Sequence, residues 1–376
     1  MKDNSNIANH LTALRQKRGF SAADLAQRAG ISRQTIYAIE SGSYVPNTAV
    51  ALRLARTLEA AVEDLFSLPA DAPATPLPTE QVTLLPQPES QHAGDPMQLC
   101  RVDRRTIASP PSPVPWYLPT ADGALLEAPA RGGKATVQFF HGESNLANRI
   151  LVAGCDPGIS VLARHVLRAG VELVVAQRNS SQALALLKQG LVHVAGTHLR
   201  DQASGESNLP AIHRLFARNS VVVVSLAVWE EGLVLARGNP KSIHSVADFA
   251  RKDVRIVNRE PGAGSRLLLD AQLDRLNLAG EKVRGYDRLS GGHLPAAWQV
   301  RMGNVDACIA TRAAARVFGL EFIPLASERY DLAIRRQHLD YPPVAALLDT
   351  LNRASFRREL EALGGYDTSI AGRRQI

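Results

Sequence analysis

Four polar side chains crowd the front half of one short segment: Arg33, Gln34, Thr35 and Tyr37, within ISRQTIYAIESG. Arginine and glutamine can make paired hydrogen bonds to guanine and adenine edges, while Thr35 and Tyr37 suit a thymine methyl or a phosphate. Side chains with that task need a narrow, rigid carrier, and the flanking residues predict one. Ser32 can cap a helix whose Ile36 and Ile39 face inward, leaving the polar four outside near its N-terminal half, the half that enters a major groove. Ahead of it, Ser21 can cap a helix with Leu25, Ala26 and Ala29 on its inner face, ended by Gly30. Ser21 and Ser32 are counted with the DNA-contacting set. Leu11, Leu14 and Arg15 imply a preceding helix. Ala49, Leu52, Leu54, Ala55 and Leu58 imply a following one, and the unit closes near Phe66.

The segment LRQKRGFSAADLAQRAGISRQTIYAIESGSYVPNTAVALRLARTLEAAVEDLF resembles the Cro/repressor-like (XRE-type) helix-turn-helix family almost position for position. The resemblance covers a domain over residues 1–67 and implies a double-stranded DNA operator as partner. It also implies structural rather than contacting roles for Glu40 and Gly42. One such head reaches a half-site, so a homodimer or higher homo-oligomer is expected.

A different chemistry is written in NREPGAGSRLLLD. A strand ends at Asn258 and Arg259, a glycine-rich turn follows, and Ser265 and Arg266 open a helix. Helix N-termini collect anions because unpaired N–H groups and the positive dipole end converge there. Ser265 can donate a hydroxyl hydrogen bond, and Arg259 or Arg266 a charged fork. The spacing matches neither a P-loop nor the dinucleotide GxGxxG, so nucleotide binding is not expected. Comparable loops are CDPGIS with Asp156 and Ser160, RNSS with Arg178, Ser180 and Ser181, and GTHLRD with Thr197 and His198. GYDRLSGGH contributes Asp287 and His293, and ASERYDLAI contributes Tyr330. Individually each residue could simply cap a helix or close a turn; their convergence at one sheet edge makes the case for a ligand site.

The elements that would position these loops alternate strand and helix from Arg149 onward, which predicts a parallel sheet with crossover helices. SVVVVSLAVWEEGLVLARG then reads as strands running between two lobes, with the cleft at the carboxyl ends of the strands. Residues PVAALLDTLNRASFRRELEALGGYD give two closing helices that could pack back on the first lobe.

The stretch from about Ile150 to Gly372 resembles the periplasmic-binding-protein-like domain of cytoplasmic regulators, also fused to some molybdopterin-biosynthesis enzymes. The matching motifs are VAGCDP, SGESNLP, NREPGAGSRLLLD, GYDR, HLPAAWQVRMGNVDACI, ERYDL and LEALGGYD. The resemblance implies a two-lobed type II architecture over 150–372, with the second lobe at about 232–318. It also implies a small anionic ligand: molybdate, tungstate or a molybdenum-related metabolite. Cys155 stands where oxyanion binders often offer a hydroxyl, and an organic anion is the alternative.

The whole chain, 376 residues with a net charge of +7, is too long for one core and is expected to be multidomain, an all-α head followed by an α/β two-lobed domain. The charge suits a polyanionic partner or an anionic ligand. Prolines at 69, 73, 76, 78, 86, 88 and 96 mark residues 68–96 as an extended linker. Residues 97–149 read as a small β-rich connector, with Trp116 and Tyr117 as packing anchors or an aromatic platform. Three scattered cysteines argue against disulfides and a zinc cluster, so a reducing compartment, no metal and no cofactor are expected. No export signal and no run of about 18 apolar residues is present, so a cytoplasmic, non-membrane location is expected. Cys155 with His198 or His293 could form a nucleophile and base, but no GxSxG, HExxH or paired-carboxylate motif accompanies them, and the chain is not read as an enzyme.

Overall fold

A computed structural model describes residues 7–67, 78–86, 91–111, 120–127, 133–140, 146–201 and 204–376. Two compact units emerge, Met1–Pro76 and Leu77–Ile376. Trp116, Tyr117 and much of the proline-rich stretch lie outside the described residues.

The first unit has helices Leu11–Lys17, Ala22–Ala29, Arg33–Glu40, Thr48–Leu58 and Val62–Leu65. Ser21 forms a capping box with Asp24, and Gly30 ends its helix at φ 65°, a left-handed turn glycine takes without strain. Leu11, Leu25, Ile36, Ile39, Leu54, Leu58 and Leu65 meet in one core. Arg15 bonds Glu40 at 2.6 Å, fastening the first helix to the third. Ala8–Asn9 pairs antiparallel with Phe66–Ser67, so the unit's two ends are stitched together. The fourth helix departs from expectation: Leu52 is 56% exposed and Ala49 is exposed, while Ala51, Leu54, Ala55 and Leu58 face the core. Those four follow i, i+3, i+4, i+7; reading the stripe from Ala49 and Leu52 misphased it.

In the second unit, strands Thr79–Leu84, Pro96–Val102, Arg105–Ser109, Gly123–Leu125 and Lys134–Phe139 close a five-stranded barrel. The expected linker and connector bounds therefore shift. Thr79–Leu84 buries Val82 and Leu84 by strand alternation and supplies a barrel strand from within the proline-rich stretch. Cys100, Val102 and Ile107 join the same core as Leu151 and Val174, and Arg149 reaches the Leu99 carbonyl at 2.9 Å and Asp122 at 2.6 Å. The barrel is thus seated on the first lobe.

One mixed sheet runs through both lobes in the order Leu289–Ser290, Ile256–Arg259, Ala307–Thr311, Val221–Leu235, Glu321–Arg335, Val194–Thr197, Arg149–Gly154, Glu172–Gln177. At its centre, two 15-residue antiparallel strands, Val221–Leu235 and Glu321–Arg335, cross from one lobe to the other. Val221–Leu235 is buried nearly throughout, as a strand covered on both faces must be. Their register shifts between Glu231 and Gly232, where the lobes part. Ile323 and Leu325 pack on the second lobe's core, which therefore extends past the expected limit of 318. The closing helices Pro342–Leu351 and Ala354–Ala362 do pack back on the first lobe, where Val344, Leu347 and Phe356 share a core with Val161 and Leu162.

Candidate DNA-reading helix and interlobe site

Ser32 caps Arg33–Glu40 by accepting from the Thr35 N–H, and Arg33, Gln34 and Tyr37 are exposed on it. Tyr37 Oη accepts from Arg33 Nε at 3.1 Å and Nη2 at 2.8 Å, so the guanidinium is held along the helix with part of its fork committed. Thr35 is half-buried and its hydroxyl lies 2.8 Å from that of Ser32. The hydroxyls of Ser21 and Ser32 are thus spent on capping, which leaves Gln34 and the Arg33–Tyr37 pair as the outward polar face.

Between the lobes, the loops converge on a closed polar cluster. Cys155 follows the strand Arg149–Gly154, His198 follows Val194–Thr197, and Arg259 ends Ile256–Arg259. Ser265 and His293 lie in the first turns of the second-lobe helices Gly264–Arg275 and His293–Arg301. Cys155 Sγ is 3.4 Å from His198 Nε2 and 3.7 Å from His293 Nε2. His198 Nδ1 lies 2.8 Å from Glu328 Oε2, and His293 Nδ1 lies 3.6 Å from Glu231 Oε1. Ser265 donates to Glu231. Tyr330 stacks on His198 with ring centroids 5.9 Å apart, and Trp229 meets both at 4.8 Å. The structure therefore brings Cys155 to both histidines weighed as its possible base.

Burial sets the protonation of this cluster. Loss of water pushes Glu231 up to about 8, with Glu328 adding to the rise, and pushes Glu328 up to about 7. Burial thus shifts Glu231 toward its neutral form, and its carboxyl accepts a short hydrogen bond from the Ser265 hydroxyl. His293 is held well below its ordinary value by burial, then by the charges of Arg259 and His198. Burial also lowers His198, but the neighbouring Cys155 and Glu231 outweigh it and raise the imidazole overall. Arg259 bonds Glu260 through Nε and Nη2, each at 3.1 Å, while its buried Nη1 has no hydrogen-bond partner among the described residues. His293 Nδ1 likewise has none.

The remaining expected site residues divide. Asp156 is buried at the cluster's edge, accepting from the Gly158 N–H at 2.8 Å and from Tyr366 Oη at 2.5 Å; burial pushes it up to about 6. Ser180 accepts from the His198 N–H at 3.1 Å, and Thr197 donates to Asn208 at 3.2 Å, so both shape the His198 loop from behind. Ser181 is exposed, with its N–H directed at the Gly262 carbonyl across the lobe boundary. Four placements correct the expectation. Ser160 is exposed and donates to the Pro157 carbonyl within its own turn. Arg178 turns toward the barrel side and donates to the Pro86 carbonyl at 3.0 Å. Arg266 pairs with Asp270 one turn along its helix and lies over the Tyr286 ring at 4.1 Å. Asp287 is exposed. Ser160 and Arg266 share one reason: they point away from the cluster on the turns that carry Asp156 and Ser265 inward, whereas Asp287 precedes the short strand Leu289–Ser290.

Glu231, Glu328 and Trp229 were missed. For Trp229 and Glu231 the signal was present: WEEG puts two carboxylates in an apolar strand, where alternation must send one inward. Glu230 goes out, to Arg312, and Glu231 goes in. A cavity of about 570 Å³, lined by Arg200, Asp201, Gly264, Leu267 and Glu328 among others, opens beside the cluster.

Residues 163–352 match the family described as "PBP superfamily domain", and residues 7–67 match that described as "Helix-turn-helix domain". "Uncharacterized protein YvgK" of Bacillus subtilis is 30% identical over 249 residues, spanning 66% of this chain and 80% of that protein. "Uncharacterized HTH-type transcriptional regulator YgzD" of the same organism is 38% identical over 62 residues, 16% of this chain and 94% of its own. Among solved structures, an ABC-type phosphate transport receptor from Vibrio cholerae aligns with 58% of this chain and 99% of its own at 15% identity and a TM-score of 0.38. Among the described residues, no helix is long and apolar enough to cross a membrane. The chain belongs to the PBP superfamily, with a helix-turn-helix domain ahead of its periplasmic-binding-protein-like domain.

Proposed function

We propose that the protein is a one-component cytoplasmic transcription regulator in which residues 1–67 bind an operator and the two-lobed domain responds to a small anion of the molybdate or tungstate class. One observation carries the anion reading. Arg259 is buried with Nη1 lacking a hydrogen-bond partner among the described residues, at the strand end close in sequence to one second-lobe helix of 12 residues and near His293, which opens another of 9. A fixed guanidinium with a free N–H, near converging helix N-termini, is an anion receptor by charge and by donor count. The buried carboxyls of Glu231 and Glu328 oppose it less than their number suggests, because burial raises both toward the neutral form. Binding at the meeting of the lobes favours closure, and closure in a dimer alters how paired heads meet two half-sites.

The test is a thermal-shift and calorimetric screen of the full chain against molybdate, tungstate, sulfate, phosphate and small carboxylates. A ligand at 100 times its dissociation constant stabilises the folded state by about 2.7 kcal/mol. Arg259→Gln should abolish that shift. Stabilisation by a carboxylate alone would move the assignment to an organic anion, and stabilisation by none of the probes would end the anion reading.

A further inference from the structure

The cluster at the lobe boundary holds a second pattern that the anion reading does not use. From the spacing of its donors we infer that Cys155 Sγ, His198 Nε2 and His293 Nε2 form a binding site for a divalent transition metal of the zinc class, with a fourth position left for an exogenous ligand. This goes beyond the anion reading and stands without it.

Distance comes first. A tetrahedral ion with sulfur at about 2.3 Å and imidazole nitrogen at about 2.0–2.1 Å sets those donors about 3.5 Å apart. Cys155 Sγ lies 3.4 Å from one imidazole Nε2 and 3.7 Å from the other, and the ligand atoms of all three residues fall within 4.8 Å of one another. Without a cation the thiol proton can bond only one of the two nitrogens, and the other reaches the sulfur only as a donor through its own N–H. A cation at the centre satisfies the sulfur and both nitrogens together.

The outer ring agrees. Metal-bound histidines characteristically present one ring nitrogen to the ion and the other to a carboxylate or carbonyl that fixes their orientation. Here His198 Nδ1 faces Glu328 at 2.8 Å and His293 Nδ1 faces Glu231 at 3.6 Å. Both imidazoles therefore turn Nε2 toward the same sulfur and Nδ1 toward buried acids, Glu328 nearest to His198 and Glu231 within 3.9 Å of both. His293 Nδ1 is buried and has no hydrogen-bond partner among the described residues. All three donors are buried, with Trp229 and Tyr330 as an apolar wall.

The donors also come from opposite sides of the cleft. Cys155 and His198 follow first-lobe strands, whereas His293 begins a second-lobe helix. An ion held by all three would pin the lobes shut. A thiolate and two neutral imidazoles leave a divalent ion with one net positive charge, which an anion in the fourth position would neutralise. Soft sulfur with imidazole selects zinc-like or copper-like ions over magnesium or calcium.

Metal-stripped full-length protein, kept reduced, should be titrated with Co2+ in an oxyanion-free buffer. One equivalent per chain should bind, with visible bands of tetrahedral intensity and a near-ultraviolet sulfur-to-cobalt band, and Zn2+ should bleach both. Cys155→Ser should lose the sulfur band and bind at least 100-fold more weakly. Glu328→Gln, which retains all three ligands, should weaken binding by about 10- to 100-fold. X-ray absorption of the zinc-loaded wild type should find one sulfur and two nitrogens around the metal, a readout that survives any variant's failure to fold. Absence of stoichiometric binding, a shell without sulfur, or a sulfur band that persists in Cys155→Ser would each overturn the site. The anion screen on metal-stripped protein is read separately, so either proposal can fail alone.

Discussion

Closure of the lobes on His198 depends on a residue with no side chain. Gly264 opens the second-lobe helix directly over the first-lobe imidazole, and a Cβ there would stand 2.5 Å from His198 Nδ1 and 2.7 Å from its carbonyl oxygen. Ordinary contact begins about an ångström farther out, and the atoms met are backbone and a buried ring, neither free to swing away. Gly264→Ala has two opposed consequences. Within the helix it removes a glycine, a gain of up to about 1 kcal/mol. Across the cleft it overpacks a fixed contact, a loss of about 1–3 kcal/mol. The helix gain is common to open and closed forms, so closure is weakened by about 1–3 kcal/mol, hence roughly 5- to 140-fold weaker binding of any ligand held by both lobes, at 1.4 kcal/mol per tenfold. Gly291→Ala is the control, because a Cβ there meets nothing within 4 Å; its effect should stay within about 0.5 kcal/mol. Ligand affinity by calorimetry and stability by urea unfolding would be measured on both. If Gly264→Ala binds as tightly as wild type and is more stable, the lobes do not meet at His198 and the interlobe argument fails.

On the DNA side, Gln34→Ala and Arg33→Ala should each reduce discrimination between operator and random duplex by about 1–3 kcal/mol in a competition assay, with the thermal midpoint of the two-lobed domain unchanged. Equal loss on both duplexes would reassign them to phosphate contact. Arg266→Ala should leave anion and metal affinity unaltered, since its guanidinium is occupied by Asp270 and Tyr286; weakened binding would reinstate it as a ligand residue. Acid should destabilise the second unit through His193. Burial, then the charge of His338, lowers this imidazole to about 4, only partly offset by Asp103, and its Nδ1 accepts from the Leu151 N–H at 3.0 Å. Folded His193 stays neutral while unfolded His193 protonates below about 6.5. Stability is therefore whole above that value and falls as pH drops from about 6.5 to about 4, by roughly 3 kcal/mol. His193→Asn should flatten that slope in urea unfolding, and titration of His193 near its ordinary value by NMR would refute the account.

How far the sequence carried these conclusions depended on whether each feature was local. Ser21, Gly30 and Ser32 announced three helix boundaries because capping is settled within four residues. The alternation from Arg149 announced the parallel strands for the same reason. Thr79–Leu84 was hidden: its barrel partners, Arg105–Ser109 and Lys134–Phe139, are remote in sequence, and surrounding prolines masked a six-residue alternation. The choice between Arg259 and Arg266 was also illegible. Both flank the same turn, and only tertiary packing sends the first inward and the second onto Tyr286. Cysteine counting looks only for cysteines near one another, whereas the structure surrounds Cys155 with histidines 43 and 138 positions away.

The two long crossing strands carry a further consequence. Gly232 and Pro324 are ladder neighbours, so the chain leaves for the second lobe and returns from it at almost the same place. Topologically that lobe is an insert in a hairpin. Cys155, His198, Glu231 and Glu328 remain on the parent side of the splice, whereas Arg259, Ser265 and His293 travel with the insert. Exchanging everything between Gly232 and Pro324 for the equivalent stretch of a relative would replace the second-lobe half of the interlobe cluster in one cassette. The seat of the barrel on the first lobe would be untouched.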